Sequence, residues 1–320
     1  MKSLLYPPVI FVPGIKGSVL EQGGKRVWLS PLDVLHNTPP LMYHEGDGTH
    51  ATGLLERLTL IPYLVRYNAY AGIAKMMRTI ARGYIFTYDW REHIDANSEK
   101  FGQFVERVKA ETGESPAIVA HSLGGLVAHG YVKQHPENIA KVVYISVPFR
   151  PGIGYFDDVN EGVSVGLNKT VLSKEAIFSH PATYYLLAHK GSNQYEGRDF
   201  FSAKEWQENK WSVFKDSLPD LTAFQKLLDR VAKYHKLLDK QTELNIPALI
   251  VTGQCFPTLE RMTAKDERPK VPGDKRVSYA SAFPYDTFAS QIEKDFCVSH
   301  DRQMNDKRIL NTIFEFILAI

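Results

Sequence analysis

Ile118-Val119-Ala120-His121-Ser122-Leu123-Gly124-Gly125-Leu126-Val127 passes from an apolar, strand-like run through a turn of small residues into a helix-like pattern, with one serine at the apex. That order is the context of a nucleophile elbow, in which a sharp strand-to-helix turn lifts a serine oxygen clear of the sheet edge. The turn needs small neighbours because the strand and helix backbones approach closely there. Gly124 meets that need two residues after the serine; two residues before it, Ala120 stands where a glycine is usual. Taken alone, the string also suits an ordinary Ser-Gly turn. Its flanks favour the elbow: Ala117 to Val119 on one side, and Leu126, Val127 and Tyr131 at helical spacing on the other.

Outward from the elbow, apolar runs alternate with amphipathic stretches, the pattern of a mostly parallel sheet covered by helices on both faces. Strands are expected at Val9–Val12, Tyr84–Thr87, Ala117–Ala120, Val142–Val147 and Ala248–Thr252, with a short one at Phe296–Val298. Lys100 to Glu111 carries Phe101, Phe104, Val105 and Val108 at helical spacing. Asn305 to Ile320 shows a broad apolar face of Ile309, Leu310, Ile313, Phe314, Ile317 and Leu318. Two segments break the alternation, 21–77 and 152–241, and insertions of this length into a sheet scaffold usually form a lid or cap over a site. The second holds Tyr184, Tyr185, Phe200, Phe201, Trp206 and Trp211. Such residues either wall an acyl-chain pocket or simply pack the insertion onto the sheet. The whole of 1–320 therefore reads as one domain with two insertions.

A nucleophilic serine needs a base and an oxyanion hole. One donor of the hole is the N–H after the nucleophile, Leu123; the other belongs in the glycine-bearing turn Val12-Pro13-Gly14-Ile15-Lys16-Gly17-Ser18 after the first strand, where Ile15 is the expected residue. Among eleven histidines, His300 follows the last short strand candidate and precedes the last helix, where the Ser…Asp…His chain order of α/β-hydrolases places the base. His121 adjoins the serine but points away from it on a tight turn, and fits packing or polar support. For the acid, the pattern leaves two candidates. Glu260 is the first carboxylate after the Ala248 strand, and Asp274 sits in the turn Val271-Pro272-Gly273-Asp274-Lys275-Arg276-Val277. Turn aspartates often only bond their own backbone.

Composition sets outer bounds. Forty-four percent hydrophobic residues support a sizeable core and exclude disorder, and a net charge of +2 without like-charge runs argues against a nucleic-acid role. Two cysteines, Cys255 and Cys297, make no disulfide framework; reduced thiols are expected unless the fold brings the two together. The segment Met1 to Pro8 contains no signal-peptide stretch, and no window reaches a membrane-spanning length, so the expectation is a cytoplasmic protein with peripheral membrane contact at most. No metal-ligand spacing and no phosphate-binding glycine loop appear, so no cofactor is expected.

Several strings together resemble the lecithin:cholesterol acyltransferase-like family of α/β-hydrolases, which includes phospholipases and acyltransferases. They are Phe11 to Ser18 with Leu20-Glu21, Trp28-Leu29-Ser30-Pro31-Leu32-Asp33, Tyr88-Asp89-Trp90-Arg91, Ala120 to Gly125, and His180-Pro181-Ala182-Thr183-Tyr184-Tyr185-Leu186-Leu187. The elbow is shared by many hydrolases; the Tyr-Asp-Trp-Arg string before it is the more family-specific. The family's acid lies in a Gly-Asp-Gly-Thr-Val-like turn, which Gly273 to Val277 resembles except for Lys275-Arg276, and this selects Asp274. The resemblance implies an α/β-hydrolase fold and a serine esterase acting on an acyl ester or phospholipid. Ser122 is then the nucleophile, His300 the base and Asp274 the acid, and the acyl chain passes to water or to an alcohol or sterol. The rival is a non-catalytic hydrolase-fold module that binds lipid or protein. Asp89 and Arg91 read as an ion pair bracing a loop, or as a head-group contact.

Overall fold

The apolar runs occupy the middle of the sheet because they carry nothing polar on either face. A computed structural model, which describes residues 6–61, 65–190, 196–263 and 267–319, contains one sheet of six parallel strands. They are β1 (Val9–Val12), β2 (Gly83–Ile85), β3 (Ala117–His121), β4 (Lys141–Ile145), β5 (Glu243–Thr252) and β6 (Thr287–Asp295). In space they run β6-β5-β4-β3-β1-β2. Phe11 pairs with Val119, Val119 with Val143 and Val143 with Leu249, so one buried apolar row crosses four strands. Each such side chain contributes roughly 1.5–3 kcal/mol by leaving water.

Five longer helices flank the sheet: α1 (Ala71–Thr79), α2 (Ile94–Thr112), α3 (Leu123–Gln134), α4 (Leu221–Asp239) and α5 (Lys307–Leu318). Helix α3 is buried along its length from Leu123 to Lys133, which fits its lack of a polar face. Helix α4 starts at Asp220, whose side chain accepts from the N–H groups of Thr222 and Ala223, and buries Phe224, Leu228, Val231, Tyr234, His235 and Leu238. Helix α5 is held by Ile309, Ile313 and Ile317, while Phe314 and Leu318 stay partly exposed, so its apolar face is narrower than expected.

The last strand departs from expectation. Phe296–Val298 is not a strand; β6 lies just before it, on the polar sequence Thr287-Phe288-Ala289-Ser290-Gln291-Ile292-Glu293-Lys294-Asp295, and is exposed nearly throughout at the sheet edge. Charges on an edge strand keep it from pairing with another chain. Its parallel neighbour β5 ends at the same side of the sheet, so the loops that follow the two strands meet. There Cys255 and Cys297 form a disulfide with their Cα atoms 5.2 Å apart, against the expectation of reduced thiols. A cysteine count cannot register that adjacency.

Segment 21–77 holds strands of a small antiparallel sheet (Lys25–Trp28 and His50–Leu54 on either side of Ser18–Gln22), the hairpin Arg57–Ile61 with Val65–Asn68, and most of α1. Segment 152–241 holds the hairpin Val163–Val165 with Asn168–Leu172, several short helices, and α4. The aromatic residues expected to wall a pocket from this second segment mostly pack on one another. Trp206 lies 5.5 Å from Trp211, 5.4 Å from Phe224 and 5.8 Å from Tyr184, all buried. Positions 62–64 and 191–195, inside the two segments, and Met1 to Leu5, within the stretch where no signal peptide is expected, fall outside the described residues. Among the described residues, no helix is long and apolar enough to cross a membrane.

Candidate active site

Ser122 joins β3 to α3 with φ 53° and ψ −129°, in the left-handed half of the backbone map that non-glycine residues rarely enter. The turn is pinned on both sides: the Ser122 N–H donates to the Ile145 carbonyl at 3.0 Å, and the Gly125 N–H donates to the Ser122 carbonyl at 2.9 Å. A side chain at Gly124 would stand 2.6 Å from the Val12 carbonyl oxygen and would collide with that of Pro13. Ala120 meets no such obstacle and is fully buried in the strand. At Gly14 an added Cβ would lie 2.8 Å from the Cβ of Ser122, so the turn after β1 runs directly alongside the serine.

His300 opens the short 3-10 helix His300–Asn305 beyond β6, and its N–H donates to the Asp274 carbonyl at 3.0 Å. Its Nε2 lies 2.9 Å from Ser122 Oγ, and its Nδ1 2.7 Å from Asp274 Oδ2. The assignment consistent with both contacts has Nδ1–H donating to the carboxylate and Nε2 accepting from the hydroxyl. Asp274 is fully buried. Its Oδ1 accepts from the N–H groups of Arg276 (3.0 Å) and Val277 (2.8 Å), and its Oδ2 also accepts from Gln303 Nε2 at 3.0 Å. Burial alone would raise its pKa, but His300 and the two backbone donors outweigh it and hold the carboxyl well below the usual range. Lys275 adopts φ 85°, a region that favours glycine, where the resembled family's turn has one.

Two further residues steady the serine's surroundings. The Tyr70 hydroxyl accepts from the Gly14 N–H at 2.9 Å and donates to His121 Nδ1 at 2.9 Å. Burial, with His300 close by, pushes His121 well below the ordinary histidine pKa, so its ring is neutral and can accept. Gln303 donates to Ser146 Oγ at 2.8 Å as well as to Asp274. Sequence reasoning missed Tyr70, Ser146 and Gln303. Gln303 stands three residues after His300, one turn along a 3-10 helix, which is the only signal it offered. Among the described residues, the N–H groups of Ile15 and Leu123 have no hydrogen-bond acceptor.

The serine and histidine form part of the wall of a cavity of about 620 Å³. Its apolar side comes from Trp28, Leu29, Val34, Leu55, Leu58 and Val163, contributed by both long segments; its polar end comes from Lys16, Asp158 and Arg276. Glu260, the other acid considered, accepts from the Ser278 hydroxyl at 2.6 Å instead of facing His300. Arg91 is buried, with Nε and Nη2 on the two oxygens of Asp89 (3.0 and 2.7 Å) and Nη1 on the Met42 carbonyl at 2.7 Å, so the pair braces the loop around Met42. His129 and His180 are committed elsewhere, to Asp286 at 2.9 Å and to the Leu41 carbonyl at 2.6 Å.

This parallel sheet with a serine on its β3–α3 turn is the architecture of the α/β-hydrolases. Residues 78–255, more than half of the chain, match the alpha/beta hydrolase fold family, and the chain belongs to it. It is 29% identical over 246 residues, 70% of its length, to an uncharacterized protein of Saccharomyces cerevisiae. It is 25% identical over 190 residues, 46% of its length, to lecithin-cholesterol acyltransferase-like 4 of Arabidopsis thaliana. The matches span 37% and 35% of those proteins, so the chain covers little more than a third of the curated relatives it matches. A chain in the crystal structure of the Tle4-Tli4 complex superimposes with a TM-score of 0.64, covering 98% of both chains at 13% identity. That likeness is one of fold.

Proposed function

We propose that this protein is a serine hydrolase acting on lipid acyl esters, of the phospholipase or acyltransferase kind. The observation that carries the reading is the unbroken relay from Ser122 Oγ through His300 to the buried Asp274, at the wall of a largely apolar cavity. The cavity supports an acyl-chain substrate, and the partial similarity to lecithin-cholesterol acyltransferase-like 4 supports a lipid one.

Ser122 Oγ attacks the ester carbonyl as His300 Nε2 takes its proton. The anionic carboxylate of Asp274 keeps the Nδ1–H in place and stabilises the imidazolium that forms. The carbonyl oxygen, now an oxyanion, is met by the N–H groups of Ile15 and Leu123. His300 returns the proton to the departing alcohol, which leaves an acyl-Ser122 ester. Water or a second alcohol then takes the acyl group by the same steps in reverse, and the access of water decides between hydrolysis and transfer.

Turnover of p-nitrophenyl esters of increasing chain length tests this. Each buried methylene contributes about 0.8 kcal/mol, so kcat/KM should rise beyond the butyrate ester, and Ser122→Ala should abolish it. Adding a long-chain alcohol or sterol and weighing its ester against free fatty acid then separates transferase from hydrolase. Efficient cleavage of acetate with longer chains ignored would remove the lipid assignment, and full activity in Ser122→Ala would remove the mechanism.

A further inference from the structure

The disulfide that fastens the loops after β5 and β6 lies at the surface, although it stands beside a buried acid. Cys255 and Cys297 are both exposed, whereas Val298, Ser299 and Asp274 next to them are buried. An exposed disulfide is open to exchange with thiols, and access decides which of its sulfurs is attacked. Cys297 lines a surface groove of about 780 Å³; Cys255 does not. Three cations line that groove, Lys275, Arg302 and Arg308, against two carboxylates, Asp301 and Asp306. Arg308 is taken by Asp306 at 2.8 Å, and Asp301 accepts from the Ser299 hydroxyl at 2.7 Å. Lys275 lies over the Phe256 ring, and among the described residues neither it nor Arg302 has an ion-pair partner. Cations so placed favour the approach of a thiolate, the form of a thiol that attacks sulfur.

From the disulfide to the catalytic base the path is short. Cys297 stands three residues before His300, and Cys255 directly precedes Phe256, which pairs with Gly273, the neighbour of Asp274. The two cross-linked arms therefore carry the base and the acid. Apart from the disulfide, the arm that leads to His300 is tied to the β5 side by the Phe296 N–H on the Thr252 carbonyl at 3.0 Å. Gln254 Nε2 adds a bond to Asp295 Oδ2 at 2.7 Å, at the surface. With the sulfurs parted, His300 keeps its own bonds to Asp274, but its arm loses the covalent link to the arm of the acid. A displacement of about 1 Å at a catalytic group costs up to about a hundredfold in rate.

Resting on the proposed reading of Ser122 as a hydrolase nucleophile, we propose that Cys297 is a thiol-exchange site. A small thiol entering from the groove opens the disulfide there and slows the enzyme by loosening the arm that carries His300. The thiolate sulfur bonds to Cys297 Sγ as the bond to Cys255 breaks, and the electron pair leaves on Cys255 Sγ, which takes up the proton the thiol gave up. The entering sulfur is oxidised to a mixed disulfide and Cys255 is reduced, so the exchange needs no other oxidant. Attack by the Cys255 thiolate on that mixed disulfide reverses it.

The test treats the full chain with reduced glutathione, blocks free thiols with iodoacetamide and maps the masses. The expected result is glutathione on Cys297 and a blocked thiol on Cys255. With p-nitrophenyl butyrate, kcat should fall severalfold to about a hundredfold, and KM should change little, because the apolar cavity walls lie on other segments. Activity should recover when glutathione is removed and the disulfide re-forms. The double variant Cys255→Ser/Cys297→Ser should be slow without glutathione and indifferent to it. Thermal melting of each form accompanies the kinetics, and an opened protein that melts below the assay temperature overturns the proposal, since the loss is then one of fold. An open disulfide with kcat unchanged overturns it too, as does glutathione found on Cys255 instead of Cys297, or a disulfide that does not exchange. A fluorophosphonate probe keeps this apart from the hydrolase reading. Ser122 labelled equally fast in both forms removes the switch alone, whereas no label on Ser122 in the oxidised form removes the hydrolase reading and the switch together.

Discussion

Ser122 and His300 stand 178 residues apart in the chain and 2.9 Å apart in the fold, so what positions each one locally decides whether they can work together. Ser122 is held by its strained turn, and His300 by its own N–H on the Asp274 carbonyl as well as by the carboxylate. Asp274 therefore secures the histidine twice, by backbone and by side chain. An amide in its place keeps the shape but favours the wrong tautomer, which costs about four orders of magnitude in turnover in the reference protease. Asp274→Asn should show a large loss in kcat, while Glu260→Gln, which gives up only a bond to Ser278, should show little. The reversed ranking would make the Asp274 turn structural. Ser122, His300 and Asp274, which the fold brings together, were each legible as candidates because their neighbours carry pattern. A small-residue turn marks one, a place between the last strand and the last helix another, and a Gly-Asp string seen through a family resemblance the third. Tyr70 and Gln303 were not legible, because a buried hydrogen bond between distant positions leaves no local pattern.

Elements bring those residues into register, and two features show how. The elbow helix α3 approaches the turn after β1 so closely that only glycine fits at 124. Gly124→Ala should push the Pro13-Gly14-Ile15 turn away from Ser122 and lower kcat far more than its overpacking cost, typically about 1–3 kcal/mol of stability, would suggest. A melting curve beside the kinetics separates the two effects. Further along α3, His129 and Lys133 reach Asp286, at 2.9 and 2.6 Å, in the loop before β6. Tyr144 completes the set at 2.8 Å from His129 Nδ1, and the Thr242 N–H donates to the same carboxylate at 2.9 Å. Burial would raise the Asp286 pKa, but His129 and Lys133 override it and hold it below its ordinary value. A depressed carboxylate contributes stability that is complete above its unfolded pKa and lost as pH falls through the folded one. Asp286→Asn should lose on the order of 3–5 kcal/mol at neutral pH, as breaking a buried pair does, and should lose less further stability than the wild type on acidification below about pH 4. Equal acid sensitivity in both proteins would remove this role. The apolar strands of the sheet could be read from their runs, but β6 could not: it is polar and exposed, and parallel pairing with β5 alone makes it a strand.

At the scale of the whole molecule, the two long segments build the cavity from their walls inward. Trp28, Leu29 and Val34 come from one and Val163 from the other, whereas the aromatic-rich part of the second segment forms a core of its own. Composition alone could not divide those roles, since a tryptophan in a packed insertion and one in a pocket wall look the same in a sequence. The disulfide between Cys255 and Cys297 fastens together the loops that precede the acid turn and the histidine, so the ends of β5 and β6 are joined beside the site they serve. On the proposed reading, all of this places one activated hydroxyl, that of Ser122, at the wall of a cavity that is largely apolar but has a polar end at Lys16, Asp158 and Arg276. Labelling the folded protein with a fluorophosphonate probe, followed by mass mapping of the modified peptide, tests that claim most directly. The account predicts a single adduct on Ser122 that disappears in Ser122→Ala and is strongly reduced in Asp274→Asn. No adduct, or an adduct on another residue that persists in Ser122→Ala, would contradict it.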